Sequence, residues 1–142
     1  MRRGKGRDGA PRLGRVLRTL KRRLDAYWPS YLAHHLDRKN RAYHDAGDLC
    51  VIAGVLTLRP GFVVLGVVAG YGWAFAGHYL IEGRKPATLE HPVLAGLSNW
   101  RMFAHGLQGT LEAELAKYGL GSEGEVGWGV EVWRARLLGE RA

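Results

Sequence analysis

Residues 47–85 read GDLCVIAGVLTLRPGFVVLGVVAGYGWAFAGHYLIEGRK. From Leu49 to Leu58 there is no charge, and Arg59-Pro60-Gly61 supplies a turn. From Gly61 to Ile81 there are 21 residues without Asp, Glu, Lys or Arg. A bilayer crossing needs about 20 apolar residues. The second run has that length, and the first reaches it from Ala42 to Leu58 if the turn dips into the interface. The expectation is an all-α, integral membrane helical hairpin. Glycines at 54, 66, 70, 72 and 77 would let its two backbones approach closely.

Charge segregates around this hairpin. Residues 1–24 carry ten Lys/Arg against one acid, Asp8, whereas the overall charge is +8, so the basic excess belongs to the N-terminal arm. Residues 1–11 read as a disordered basic tail. Residues 12–26 read as a basic amphipathic helix: Leu13, Val16, Leu17, Leu20 and Leu24 share one helical face, with Arg and Lys around the rest. Such a helix suits an anionic membrane surface. No recognition motif accompanies the basic run, so nucleic acid is not an expected partner. Arg84 and Lys85 follow the hairpin, while the turn holds only Arg59, which puts both termini on the cytoplasmic side of a multi-pass protein, in a bacterial inner membrane. The lone cysteine, Cys50, excludes an intrachain disulfide.

Before the hairpin, YWPSYLAHHLD suggests a short helix with Pro29 in its first turn, ending at His35. After it, residues 93–117 read as one helix, with an apolar stripe interrupted by Arg101. Val126–Val132 alternates like a strand, but a short terminal helix is preferred there. Residues 27–117 form the expected membrane-embedded domain, and 118–142 a C-terminal extension.

The segment YLAHHLDRKNRAYH, Tyr31–His44, holds three of the six histidines. On one continuous helix His35 and His44 would sit on opposite faces, about 13.5 Å apart along the axis. A break at Asp37-Arg38-Lys39, with Asn40 as N-cap of a helix from Arg41, would let them converge. His78 and Glu82 are i, i+4 neighbours at the returning end of the hairpin. His35, His44, His78 and Glu82 therefore can gather at one depth. Histidines plus a carboxylate suit iron, zinc or manganese. His34 and His105 read as structural, and His91 is left open.

These residues carry a resemblance. Tyr31-x3-His35-x4-Asn40-x3-His44-x2-Gly47 and Gly77-His78-x3-Glu82-x3-Pro86-Ala87, separated by an apolar hairpin, resemble the membrane family of Fe(II)-dependent, fungal 2-hydroxy-palmitic acid dioxygenase-like proteins. The resemblance covers Tyr27 to Gln108. It implies one-carbon shortening of 2-hydroxy fatty acids by α-oxidation, with O2 and a 2-hydroxy acyl substrate as partners. It implies Fe2+ at His35, His44 and His78, with Glu82, Asn40 and Tyr31 as candidate catalytic groups. Glu82 would complete the ligand set or orient His78, and Asn40 would cap its helix or bind the substrate carboxylate. The competing expectation is a non-enzymatic lipid-binding or assembly factor held at the bilayer by its basic arm, with its histidines scattered.

Overall fold

The computed structural model describes residues 12–140. The expected tail, residues 1–11, lies outside the described residues. Six α-helices follow one another: α1 Arg12–Ala33, α2 Arg38–Leu56, α3 Pro60–Ala76, α4 Pro92–Gln108, α5 Leu111–Lys117 and α6 Val130–Leu138. Among the described residues there is no strand, only an isolated bridge between Asp37 and Glu123. The all-helical expectation holds. Val126–Val132 does not form a strand.

Helices α2 and α3 form the hairpin, turning over Thr57–Arg59 with Pro60 at the start of α3. Glycines set their separation. A Cβ on Gly47 would lie 2.6 Å from the carbonyl oxygen of Gly70, and one on Gly66 would lie 2.6 Å from that of Cys50. One on Gly54 would meet the carbonyl oxygen of Phe62 at 2.5 Å. Gly47, which the sequence reading passed over, belongs to this seam. Gly72 does not, because a Cβ there meets nothing within 4 Å.

Only one of the two helices has the length and apolarity to cross a membrane. This is Pro60–Glu82, of which α3 is the first part, with 17% of its most apolar window buried. Helix α2 carries Arg41, His44, Asp45 and Asp48 in its first half, all buried. The outward surface of α3 is apolar: Val64, Leu65 and Val68 are each at least 60% exposed.

Helix α1 is continuous through Pro29 to Ala33, rather than ending near residue 26 and restarting. Its C-terminal half holds it in place. Trp28, Tyr31 and Leu32 are fully or nearly fully buried with Ala95, Met102, Leu111 and Leu115 in one core. Burying three large side chains outweighs the one backbone hydrogen bond that proline forfeits. At the other end Leu13, Val16 and Leu17 stay exposed.

The expected single helix over 93–117 is two. Gly109 adopts a left-handed conformation (φ 67°) that closes α4, and α5 starts after Thr110. The Arg134 guanidinium occupies the space a Cβ on Gly109 would need. Of the expected apolar stripe, Val93, Leu97, Trp100 and Leu107 are exposed, while Phe103 and Leu111 are buried together with Ala95, Ser98, Met102 and Gly106.

The C-terminal segment docks on α2. The Val130 N–H donates to Asp45 Oδ2 at 2.8 Å. Arg41, 2% exposed, donates to Glu131, to Ser122 and to the carbonyls of His35 and Leu36. One buried guanidinium thus ties the α1–α2 break to residues 122–131.

Candidate metal centre

The break between α1 and α2 turns His35 toward His44. Its cap is Asp37, not Asn40: Asp37 is extended (φ −71°, ψ 121°), and its carboxylate accepts the N–H groups of Lys39 and Asn40. The chain is held extended there because Arg38 N–H donates to Glu123 O and Glu123 N–H to Leu36 O. Helix α2 therefore begins at Arg38, and Asn40 falls inside its first turn, fully buried. Asn40 Nδ2 instead donates to Glu82 Oε1 at 2.8 Å. Its Oδ1 stands where a Cβ on residue 77 would be, so glycine is required at Gly77.

The third histidine comes from the end of α3. There the helix widens to a π-helical turn over Gly77–Glu82, closed by Gly83 in the left-handed region (φ 63°). π-Turns inside helices recur at functional sites. Here the turn carries both His78 and Glu82.

His35, His44 and His78 are each 5% exposed or less, and their ligand atoms lie within 4.8 Å of one another. The ring centroids are 4.7, 4.9 and 5.1 Å apart, and each pair of rings is nearly perpendicular. The outer nitrogens fix the protons. His35 Nδ1 faces the Tyr31 carbonyl at 2.7 Å, which can only accept. His78 Nδ1 faces Glu82 Oε2 at 3.3 Å. His44 Nδ1 faces Asn99 Oδ1 at 2.9 Å, and the Asn99 amide is oriented because its Nδ2 donates to Asp48 Oδ1 at 2.5 Å. In the neutral rings the proton therefore sits on Nδ1, and the three Nε2 lone pairs are turned toward one another.

Those lone pairs converge without a donor. His44 Nε2 and His78 Nε2 are 3.2 Å apart. His35 Nε2 is buried and has no partner. Burial, reinforced by His44 and His78, pushes the His35 pKa well below its ordinary value, so its Nε2 keeps a free lone pair at neutral pH. A divalent cation would satisfy all three nitrogens at once. Two ligands about 2.1 Å from one ion and about 100° apart are about 3.2 Å from each other. The residues thus fit a divalent metal, which the Nε2 atoms of the three imidazoles would hold. Three neutral imidazoles bring no charge, but two buried carboxylates adjoin them. Glu82 touches His78, and Asp48 reaches His44 through Asn99. A dication beside two carboxylates offsets much of the cost of burying each.

The other sequence candidates fall in different places. Glu82 sits on the outer nitrogen of His78, outside the converging set. Tyr31 stacks on His35 with centroids 4.0 Å apart, and its hydroxyl donates to Asn99 Oδ1 at 3.4 Å. Burial, with Asp48 nearby, raises the Tyr31 pKa well above its ordinary value and keeps it a donor. His34 binds the Ser30 carbonyl. His105 binds Thr110 and stacks on Trp28. His91 is exposed, precedes α4 and meets the Tyr27 ring edge-on. None of these three joins the cluster.

Sequence reasoning missed Asn99 and Asp48. Asp48 is four residues from His44, so helical spacing signalled it. Asn99 lies 55 residues from His44, and nothing local marks it.

A cavity of about 230 Å³ opens beside the histidines. Its polar end is formed by Tyr31, His35, His44, Asp48, His78 and Asn99, and its walls include Val51, Val67, Tyr71, Ala74 and Trp100. An apolar chain with a polar head suits this shape.

Residues 21–111 match the family described as 2-hydroxy-palmitic acid dioxygenase Mpo1-like. No curated protein and no solved structure matches the chain. All the residues of the polar end fall within the matched span, and the chain belongs to the Mpo1-like family.

Proposed function

We propose that this member of the family is a membrane-embedded dioxygenase that shortens 2-hydroxy fatty acids by one carbon, with Fe2+ held by His35, His44 and His78. The observation that carries the reading is the convergence of three buried imidazole nitrogens beside a largely apolar cavity. A lipid-binding or assembly factor has no use for such a convergence.

The iron supplies the redox chemistry through which O2 reacts with the 2-hydroxy acid. The chain supplies the rest. The Tyr31 carbonyl, Asn99 and Glu82 each hold one imidazole in the Nδ1–H tautomer and aim its Nε2. Asn40 in turn holds Glu82. Tyr31 packs flat on His35 and closes the cavity on that side. Val51, Val67, Tyr71, Ala74 and Trp100 receive the acyl chain and exclude water from the polar end.

Membrane placement rests on the exposed apolar surface of Pro60–Glu82. At about 25 cal/mol per Å², that surface is costly in water and favourable in lipid. His44 and His78 lie at the end of the hairpin away from its turn, so the site sits near one interface, on the side of the basic arm. Helix α1 and the outward stripe of α4 lie along that interface, and both termini face the cytoplasm.

The test is metal analysis of protein purified in detergent without oxygen, followed by O2 uptake on adding 2-hydroxypalmitate. About one iron per chain and substrate-dependent uptake are expected. Protein that binds no divalent metal, or that consumes no O2 when iron is bound, refutes the reading.

A further inference from the structure

Besides the converging His35 Nε2, Asp48 Oδ2 is the buried polar atom of a cavity-lining residue that lacks a hydrogen-bond partner among the described residues. Asp48 is 4% exposed and lines the cavity with the three histidines. Its Oδ1 accepts from Asn99 Nδ2, and its Oδ2 has no partner. The neighbours cannot help. Asn99 is engaged at both ends of its amide, and the Tyr31 hydroxyl is spent on Asn99 Oδ1. Asp48 also stands apart from the converging ligand set, which among the described residues comprises His35, His44 and His78. A buried carboxylate oxygen without a donor is costly, and a ligand that brings the donor recovers that cost.

We propose that Asp48 reads the 2-hydroxyl group of the substrate: its carboxylate accepts the hydroxyl O–H and so selects 2-hydroxy acids over acids that cannot donate at C2. This rests on the dioxygenase reading above, and it names the specificity determinant of that site. A site built to accept a substrate O–H discriminates strongly against analogues lacking it, because the acceptor is then left buried and unpaired. The Asn99 bridge gives the arrangement its geometry. One amide fixes both the His44 imidazole and the Asp48 carboxylate, so the acceptor is held at a set position relative to a metal ligand. A hydroxyl one carbon from a metal-bound head group needs such a fixed acceptor.

The experiment uses the full chain in detergent, loaded with Zn(II), which has no redox chemistry, so that binding is measured without turnover. Dissociation constants are determined for 2-hydroxypalmitate, palmitate and 2-methoxypalmitate; the last keeps the C2 oxygen but cannot donate. The wild-type protein should bind 2-hydroxypalmitate about 10- to 100-fold more tightly than either analogue, the range for a hydrogen bond to a charged group. Asp48→Asn, which keeps the size and presents an N–H₂ in place of an acceptor, should bind all three alike when compared as zinc-saturated protein. Preference retained by Asp48→Asn overturns the proposal. So does wild-type protein that binds 2-methoxypalmitate as tightly as 2-hydroxypalmitate, a result that needs no variant to fold. If that wild-type protein, with iron, still consumes O2 with 2-hydroxypalmitate, only the role of Asp48 falls. Wild-type protein that neither binds the three acids nor consumes O2 removes the dioxygenase reading as well.

Discussion

His44 and His78, 34 residues apart in the chain, point their Nε2 atoms at each other across 3.2 Å. Their outer nitrogens are committed to Asn99 and Glu82, so neither ring can flip its tautomer without breaking a hydrogen bond. Two neutral rings of this tautomer repel at that distance, and a divalent cation between them would turn the contact into an attraction. A metal held there would therefore stabilise the fold at this point.

If the three imidazoles hold one metal ion, replacing His35, His44 or His78 by Ala should remove most of it, and combining two replacements should cost little more than one. Groups that act as a unit are strongly non-additive. His34→Ala should keep its metal, because that ring is turned to the Ser30 carbonyl. Metal-to-protein ratios across the series check this. Wild-type iron in all three single variants would mean that no shared site exists.

Glu82→Gln and Asn99→Leu should keep the three imidazoles but loosen their aim. Loss of such a supporting partner typically weakens metal binding by about 10–100-fold. Competition with a chelator of known affinity measures the change. Because Asn99 also holds Asp48 and accepts from Tyr31, its replacement should be the more damaging for substrate binding.

The glycine seam makes a contrast between two positions on one helix. A Cβ at Gly66 lands 2.6 Å from the Cys50 carbonyl oxygen, whereas one at Gly72 meets nothing within 4 Å. Gly66→Ala should cost about 1–3 kcal/mol through forced separation of α2 and α3. Gly72→Ala should be neutral or stabilising by up to about 1 kcal/mol. Thermal unfolding in one detergent compares them.

Residues 12–26 of α1 combine exposed Leu13, Val16 and Leu17 with six basic side chains. A peptide of that span should bind anionic vesicles and not neutral ones, with about 1 kcal/mol per basic residue near the surface, and should release as salt is raised. Equal binding to both vesicle types would remove the electrostatic part.

Away from the site, Glu114 joins α5 to α1 and α4. It accepts from Trp28 Nε1 at 2.9 Å, from Arg101 at 3.4 Å and from Lys117. The Lys117 ammonium, chiefly, holds its pKa below the ordinary value, the Trp28 indole acting in the same direction and burial opposing. The stability this contributes is fully present above the unfolded carboxylate value, about 4.3, and is lost as pH falls through the lower folded value. Acid unfolding of Glu114→Gln should show a flatter limb below about pH 4 than the wild type.

The sequence by itself determined the helices, the hairpin and the approach of three histidines. Those follow from local signals: uncharged runs of fixed length, a Pro-Gly turn, glycines, and a polar break between His35 and His44. It placed the cap one helical turn late, at Asn40 instead of Asp37, because both residues suit an N-cap and only the pairing with Glu123 shows where the chain is extended. It ran α4 and α5 together because a stripe of apolar residues does not reveal a left-handed glycine. It showed an apolar stripe over 93–117 but not which of its members pack inward, because contacts between helices bury Phe103 and Leu111 and leave Val93 and Leu107 outside. The partners of His35 and His78 are one helical turn away, at the Tyr31 carbonyl and Glu82, but only the tertiary structure decided the partner of His44 and the convergence of the three free nitrogens. Asn99 is the clearest case. Its position in α4 carries no local mark, yet its one amide connects His44, Tyr31 and Asp48, because hydrogen-bond networks are set by distance in space and not by spacing along the chain.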